Sequence, residues 1–331
     1  MEREELNLNR TTRITSNEKS AEDLLRDIFG KKYAAYREAW EESFDSRSKI
    51  RNFPIHIDLE LQDFCNQSCK MCPRDSVGHP NLLYDLGTKA IGTTDMFLQV
   101  IREGSQKGLQ SVNFGAFSEP LIHRGLWELI SFAHEAGLVD SRVITNGLLL
   151  DRNIDNVFKS GLVNLFISLD ALTKETYEKI RGKGFEKVVS NVVKVLEERK
   201  SRNSPLPIIR VSFVEMDVNR HEKDAFIDYW INKVDHVDIQ KWSDYTRIAN
   251  KGQLSQDKAF NCRSPWQRLS ILANGEVLPC CDFNGRNLVI GSVKNSNLEE
   301  IWKSSKIERI RQGIVADSSP VCSSCQRCFG A

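Results

Sequence analysis

Three things are scarce in this chain, and each scarcity closes off a class of protein. No stretch approaches the ~18 uninterrupted apolar residues that a membrane-spanning helix needs, so no membrane association is expected. The opening text, MEREELNLNR, carries no apolar core of the kind found in a secretory signal. Charge of one sign is also missing in excess: 46 Lys and Arg against 45 Asp and Glu leave a net +1, without long single-sign blocks. That balance lacks the basic footprint of a nucleic-acid partner. Cysteine is scarce in the middle of the chain, since none of the nine lies between residues 73 and 261. With no secretory signal, the expected compartment is the cytoplasm, where thiols stay reduced and serve metals rather than disulfides.

The cysteines that are present fall into two groups. Cys65, Cys69 and Cys72 lie in CNQSCKMC, directly after the apolar run at 55–61, and Cys262, Cys280, Cys281, Cys322, Cys325 and Cys328 lie near the other end. Thiolates at the first spacing suit three irons of a cubane 4Fe-4S cluster and leave its fourth iron without a protein ligand. An electron-transfer cluster takes four cysteines, and a structural zinc is closed by four side chains. A three-cysteine site has one metal position to offer a small molecule. The alternative, a zinc knuckle, fits less well, because zinc pairs come as C-x2-4-C with a second pair downstream.

This motif resembles that of the radical S-adenosylmethionine (radical SAM) enzymes, in which the amino and carboxylate groups of SAM chelate the open iron. The resemblance implies reductive cleavage of SAM to methionine and a 5'-deoxyadenosyl radical, which takes hydrogen from an unactivated C-H bond.

The cysteine-free middle reads as repeated strand-then-helix units. Candidate strands cover 55–61, 110–114, 141–145, 163–169, 208–214 and 237–240, and helical patterns cover 94–107, 121–136 and 185–200. Six units are fewer than the eight of a closed barrel. The expected fold is therefore α/β: a partial (β/α)6 TIM-like barrel over 51–250, as the resemblance implies, after an N-terminal extension (1–50) with a polar, disordered start. Residues 22–44 carry apolar positions at helical spacing and are expected to pack on the barrel flank. The extension is too short for the leader-peptide recognition domain of peptide-modifying relatives.

Reactive groups in parallel βα arrays sit at the carboxyl ends of strands. The cysteine loop follows the first strand, and three further polar clusters end later ones. Gly115-Ala116-Phe117-Ser118-Glu119-Pro120 resembles the family's Gly-Gly-Glu-Pro segment, which implies that the backbone of Phe117 and Ser118, with Glu119, lies beside the SAM amine. A plain turn before a helix is the alternative. Thr145-Asn146-Gly147 and Ser168-Leu169-Asp170 resemble segments that contact the SAM carboxylate or ribose, although Asn-Gly is also a common turn. Arg181 resembles an arginine near the SAM carboxylate, and a surface arginine at a helix end is the alternative. Met71 stands where the family often has an aromatic, and a flexible thioether can cover the adenine. His56 and His79 are left out of the chemistry, because a lone histidine is more often packed or exposed than a ligand.

In the C-terminal part, Asn274-Gly275 between two apolar runs signals a hairpin that brings Cys262 and Cys280 together. A helical stretch at 298–314 then leads to Cys322-x-x-Cys325-x-x-Cys328. The pattern is similar to the SPASM and twitch extensions of radical SAM enzymes, which carry auxiliary 4Fe-4S clusters, and the corresponding domain is expected over 251–331. Six downstream cysteines are too few for two fully ligated clusters. One is expected, on Cys262, Cys280, Cys322 and Cys325, with Cys328 as an alternate ligand; a zinc ribbon is the competing reading. Cys281 is either a small buried residue or, with Cys328, a candidate thiol that returns hydrogen to a substrate radical.

The resemblance, in an architecture this compact and without a peptide-recognition domain, implies a radical SAM enzyme acting on a small, polar, carbohydrate-like substrate by dehydrogenation, epimerisation or dehydration. A flavodoxin- or ferredoxin-like protein would donate the electron. Modification of a peptide or protein side chain is the second reading, and a non-catalytic iron-sulfur or zinc scaffold the third.

Overall fold

The computed structural model describes residues 2–6, 11–15, 20–45, 50–72, 74, 90–115, 117–242, 262–281 and 288–316. The expected auxiliary ligands Cys322 and Cys325, the alternate Cys328 and His79 lie outside them.

An eleven-stranded sheet organises the chain. Its strands are β1 (Glu2–Leu6), β2 (Thr11–Thr15), β3 (His56–Leu59), β4 (Ser111–Phe114), β5 (Asp140–Thr145), β6 (Asn164–Ser168), β7 (Ile208–Glu215), β8 (His236–Lys241), β9 (Arg268–Ile271), β10 (Glu276–Leu278) and β11 (Gly291–Ser292). They lie side by side in the order β1-β2-β8-β7-β6-β5-β4-β3-β9-β10-β11, and the sheet does not close. From β3 to β8 every pairing is parallel. These six strands, with the helices between them, form the partial barrel that the resemblance implies and the count of six units matches.

Both edges depart from expectation. The N-terminal segment was expected to be disordered, yet β1 and β2 pair antiparallel and β2 continues the sheet along β8. Thr11, Thr12, Ile14 and Thr15 are β-branched residues suited to a pleated surface, Ile14 is buried, and β8 would otherwise present unpaired backbone groups. At the other edge β9, from the second cysteine region, pairs parallel with β3. The C-terminal hairpin thus extends the barrel's own sheet.

Alternation of side chains along each strand sorts the residues. Ile57, Leu59, Val112, Phe114, Val143, Leu165, Ile167, Val211, Phe213 and Val237 join the main core. Phe97 and Ile101 of α3 (Thr94–Lys107), Leu129 of α4 (Leu126–Glu135), Val192 of α7 (Phe185–Ser201), and Phe226 and Trp230 of α8 (Lys223–Trp230) share that core. Residues of the opposite parity line the inner face: His56, Asp58, Asn113, Arg142, Phe166, Arg210, Ser212 and Asp238. This face is charged and polar, although most of it is buried.

Two N-terminal helices, α1 (Ala21–Phe29) and α2 (Lys31–Asp45), were expected on the flank. Instead Leu25, Tyr33 and Tyr36 pack on Ile55, Val139, Val163 and Ile208, all at the amino ends of strands. They cover the bottom of the partial barrel and leave the carboxyl ends to the cysteine loop. The stretch at 121–136 is helical only from Leu126, after a 3-10 turn at Pro120–Ile122. The stretch at 298–314 breaks into α10 (Leu298–Trp302) and α11 (Ser305–Val315), where Ser304 starts a new N-terminus.

Candidate active site

The loop holding Cys65, Cys69 and Cys72 leaves the carboxyl end of β3 and is pinned to α6 (Lys174–Arg181). The Lys70 N–H donates to the Ile180 carbonyl at 2.9 Å, and Gln67 Nε2 donates to the Tyr177 hydroxyl at 3.1 Å. Within the loop, the Cys72 N–H turns back to the Cys69 carbonyl at 2.9 Å. All three thiols are free and partly buried. Burial raises Cys65 and Cys72 above the ordinary thiol value and pushes Cys69 up to about 12, although Arg181 opposes the last shift. Thiols in such a setting give up their protons readily only to a metal.

The donor set fits a cubane. Among the described residues no three His, Cys, Asp or Glu side chains meet tightly enough to cage a single ion. A cubane asks for less crowding, since its three thiolates bind three different irons. Two N–H groups also face the sulfurs at 3.8 Å: Arg181 Nη1 toward Cys69 Sγ and Asn146 Nδ2 toward Cys65 Sγ.

Behind Arg181 stands a buried network. Its Nε and Nη2 hold Asp170 Oδ2 at 2.7 and 2.5 Å. Asp170 has φ +62°, and its other oxygen accepts from the Val214 N–H at 2.7 Å. Asn219 Nδ2 closes the loop by donating to the Asp170 and Val214 carbonyls, each at 2.8 Å. The surface alternative for Arg181 is thereby removed, because the residue is 7% exposed. Ser168 ends β6 beside Ser212.

The segment after β4 is built on two carboxylates. Glu60, at the end of β3, accepts from the Phe117 N–H at 3.1 Å and the Ser118 hydroxyl at 3.2 Å. Glu119 is fully buried and accepts from Thr145 Oγ1 at 2.7 Å, the Asn146 N–H at 2.8 Å and the Leu121 N–H at 3.1 Å. Burial outweighs these bonds and lifts its pKa to about 7. In this structure Glu119 and Thr145 tie the second strand end to the third, while Asn146 reaches on to Asn66 Oδ1 at 2.7 Å and so to the cysteine loop. Met71 lies half-exposed between two of the cysteines and lines an open groove with Ile180, Met216, Val218 and Trp242.

In the C-terminal hairpin, β9 and β10 turn at Asn274-Gly275, with Gly275 at φ +87°. Cys262 packs beside Trp266 and Ile314, and Cys280 and Cys281 follow β10; all three are partly buried. Cys281 Sγ stands 3.2 Å from Arg268 Nη1, and the same nitrogen is 3.5 Å from Asp58 Oδ2. Asp58 also takes Asn113 Nδ2 at 3.1 Å and Ser270 Oγ at 3.3 Å. Burial acts to raise Asp58, but His56, Arg268 and these bonds hold it below the carboxylate range. His56 is locked between Ser111 and Asp58 and kept neutral by burial.

Sequence reasoning missed Asp58, Glu60, Arg142, Arg210 and Arg268. A signal existed: His56, Asp58 and Glu60 alternate with Ile57, Leu59 and Leu61, so every second residue of a central strand is polar.

A family model described as the radical SAM superfamily matches residues 59–209, and one described as an iron-sulfur cluster-binding (SPASM) domain matches 262–329. A "Probable GTP 3',8-cyclase" of Methanococcus vannielii is 25% identical over 181 residues, 55% of either chain. "Molybdenum cofactor biosynthesis protein 1" of Drosophila melanogaster is 26% identical over 230 residues, 62% of this chain and 39% of that one. The chain thus spans about half the length of the curated relatives it matches. Among solved structures, BtrN in complex with AdoMet and 2-DOIA aligns with TM-score 0.54 at 15% identity, covering 82% of this chain and 93% of that one. Streptococcus suis SuiB bound to precursor peptide SuiA aligns with TM-score 0.57 at 15% identity, covering 84% and 71%. At that identity the likeness is one of fold.

Proposed function

We propose that this chain, which belongs to the radical SAM superfamily and carries a SPASM domain, abstracts hydrogen from a small polar substrate held against the inner face of its sheet. A 4Fe-4S cluster on Cys65, Cys69 and Cys72, when bound, supplies the electron that splits SAM into methionine and a 5'-deoxyadenosyl radical. An auxiliary cluster would take Cys262 and Cys280 together with Cys322 and Cys325, or Cys328 in place of one of the last two.

The observation that carries this reading is the chemistry of the inner face beneath the cysteine loop. Asp58 with Asn113, and Ser168 with Ser212, face inward as register pairs, and Glu60 follows Asp58, on strands whose other face is apolar. Hydroxyl-rich molecules are recognised by such a surface. Arg181 and Asn146 set the polarity around the cluster sulfurs. Glu60 orients the Phe117–Ser118 backbone, whose carbonyls would meet the SAM amine; Ser168 and Asn146 would meet its carboxylate and ribose, and Met71 its adenine. Cys281, beside Arg268 after the hairpin, is one candidate hydrogen donor, with Cys328 the other. The outcome would be dehydrogenation, epimerisation or dehydration, in the cytoplasm, with a flavodoxin- or ferredoxin-like donor. A second reading, turnover of GTP, is favoured by the names of the curated relatives.

Anaerobic reconstitution followed by SAM and dithionite should yield 5'-deoxyadenosine and about eight irons per chain. No 5'-deoxyadenosine, with zinc in place of iron, would leave a scaffold protein. About four irons would remove the auxiliary cluster, and consumption of GTP in the same mixture would favour the second reading.

A further inference from the structure

Three arginines crowd the inner face where β5, β6, β7, β8 and β2 run side by side. Arg13 holds Asp238 through Nε at 3.1 Å and Nη2 at 3.4 Å, and Arg210 Nη1 bonds the same carboxylate. Arg210 also stacks on the Phe166 ring, and Arg142 stands 4.9 Å from the centre of that ring. Arg142 Nη2 reaches Asp140 at 3.1 Å. Asp140 is shared further, accepting from the Tyr36 hydroxyl at 3.1 Å and Asn164 Nδ2 at 2.7 Å. The remaining titratable neighbour, His236, is held neutral by burial and by Arg13, at about 3.

The donors outnumber the acceptors. Each guanidinium carries five N–H groups, and three of them face two carboxylates. Arg142 Nε and Arg210 Nε have no partner at all. Burial, with the charges of Arg13 and Arg142, lowers Arg210 to about 9 in spite of Asp238. Asp238 is shut off from solvent, whereas the side chains of Arg13, Arg142 and Arg210 keep 23%, 31% and 12% of their exposure. Surplus charge and solvent-exposed surface are therefore on the same three side chains, while the two unpartnered Nε atoms are themselves buried.

We propose that Arg13, Arg142 and Arg210 form an oxyanion subsite that takes a phosphate or carboxylate group of the substrate. The inference rests on the preceding reading of the inner face as the substrate site, and it narrows the substrate to an anion-bearing small molecule. On the same faces of their strands, Arg142, Phe166 and Arg210 lie two residues before Ile144, Ser168 and Ser212, toward the amino ends, which is about 7 Å at the rise of a strand. A short phosphorylated or carboxylated molecule anchored there would present its carbon skeleton at the mouth, beside the cysteine loop.

The test is calorimetric titration of the anaerobically reconstituted full chain with inorganic phosphate and, separately, acetate, at constant ionic strength. Saturable binding of one phosphate or acetate per chain is expected. Arg142→Gln should weaken it roughly tenfold or more, the loss of a charge-assisted bond, whereas Arg142→Lys should retain most of it. The tighter of the two anions identifies the group. Independently of any variant, phosphate should slow phenylglyoxal labelling of Arg142. Absence of saturable binding for both anions, equal affinity in Arg142→Gln, or unprotected labelling each overturns the subsite. Failure of the radical reading is seen separately, as no 5'-deoxyadenosine from the wild-type chain.

Discussion

Arg181 holds Cys69 and Asp170 in one grip: Nη1 is 3.8 Å from the sulfur while Nε is 2.7 Å from the carboxylate. The cysteine loop after β3 and the strand end after β6 are thereby coupled through one buried cation. Asp170 in turn grips the backbone of Val214, so the ends of three strands are set by one ion pair.

Removing one partner of this pair leaves a buried charge uncompensated. Arg181→Met should destabilise the fold by about 3–5 kcal/mol, read as a lower urea midpoint, and should also lower iron retention. Arg181→Lys keeps the charge but cannot span both partners with a single planar fork. It should recover part of the stability and less of the iron.

Glu119 carries a pH signature. Its folded-state pKa of about 7 exceeds the ordinary 4.5 because of burial, so the folded chain keeps this proton where the unfolded chain loses it. The stabilisation from that proton is complete below pH 4.5 and is lost as pH rises to 7. Across that window the wild type should lose on the order of 3 kcal/mol relative to Glu119→Gln. Denaturation midpoints of the two proteins at several pH values check it, and parallel curves would contradict it.

Gly115 has φ +77°, and a Cβ there would come 2.9 Å from Pro120 Cδ. Gly115→Ala should cost roughly 1–3 kcal/mol of backbone strain and shift the Phe117–Glu119 segment. SAM affinity measured by equilibrium dialysis should fall, while the iron bound at Cys65, Cys69 and Cys72 stays.

Among the described residues, Asp238 is the one carboxylate shared by Arg13 and Arg210. Asp238→Asn leaves both cations unbalanced and should destabilise the fold by about 3–5 kcal/mol. A thermal midpoint within 1 or 2 °C of wild type, by the usual scaling of stability with midpoint, would show that these charges are met elsewhere.

Much of this molecule was legible in one dimension. Strand positions such as 110–114 and 208–214 follow from local apolar runs, and the helix at 94–107 from its three-and-four spacing. The two edge strands were not, because β2 is a short polar segment whose partner, β8, lies more than 200 residues away. Helix positions against the strand bottoms were hidden for the same reason: an amphipathic stripe does not say which surface covers it. Within the site, the spacing of the three cysteines announced metal chemistry, since only the thiol count and separation matter to that inference.

The sequence by itself therefore determined the cysteine motif, the alternation of strands and helices, and the family to which both belong, all properties of spacing along the chain. Tertiary structure alone decided that Arg181 is buried against Asp170, that Glu60 and Glu119 brace the turn after β4, and that Arg13, Arg142 and Arg210 converge. The reason is physical: burial and charge crowding depend on residues far apart in sequence, and their cost appears only when those residues share one space.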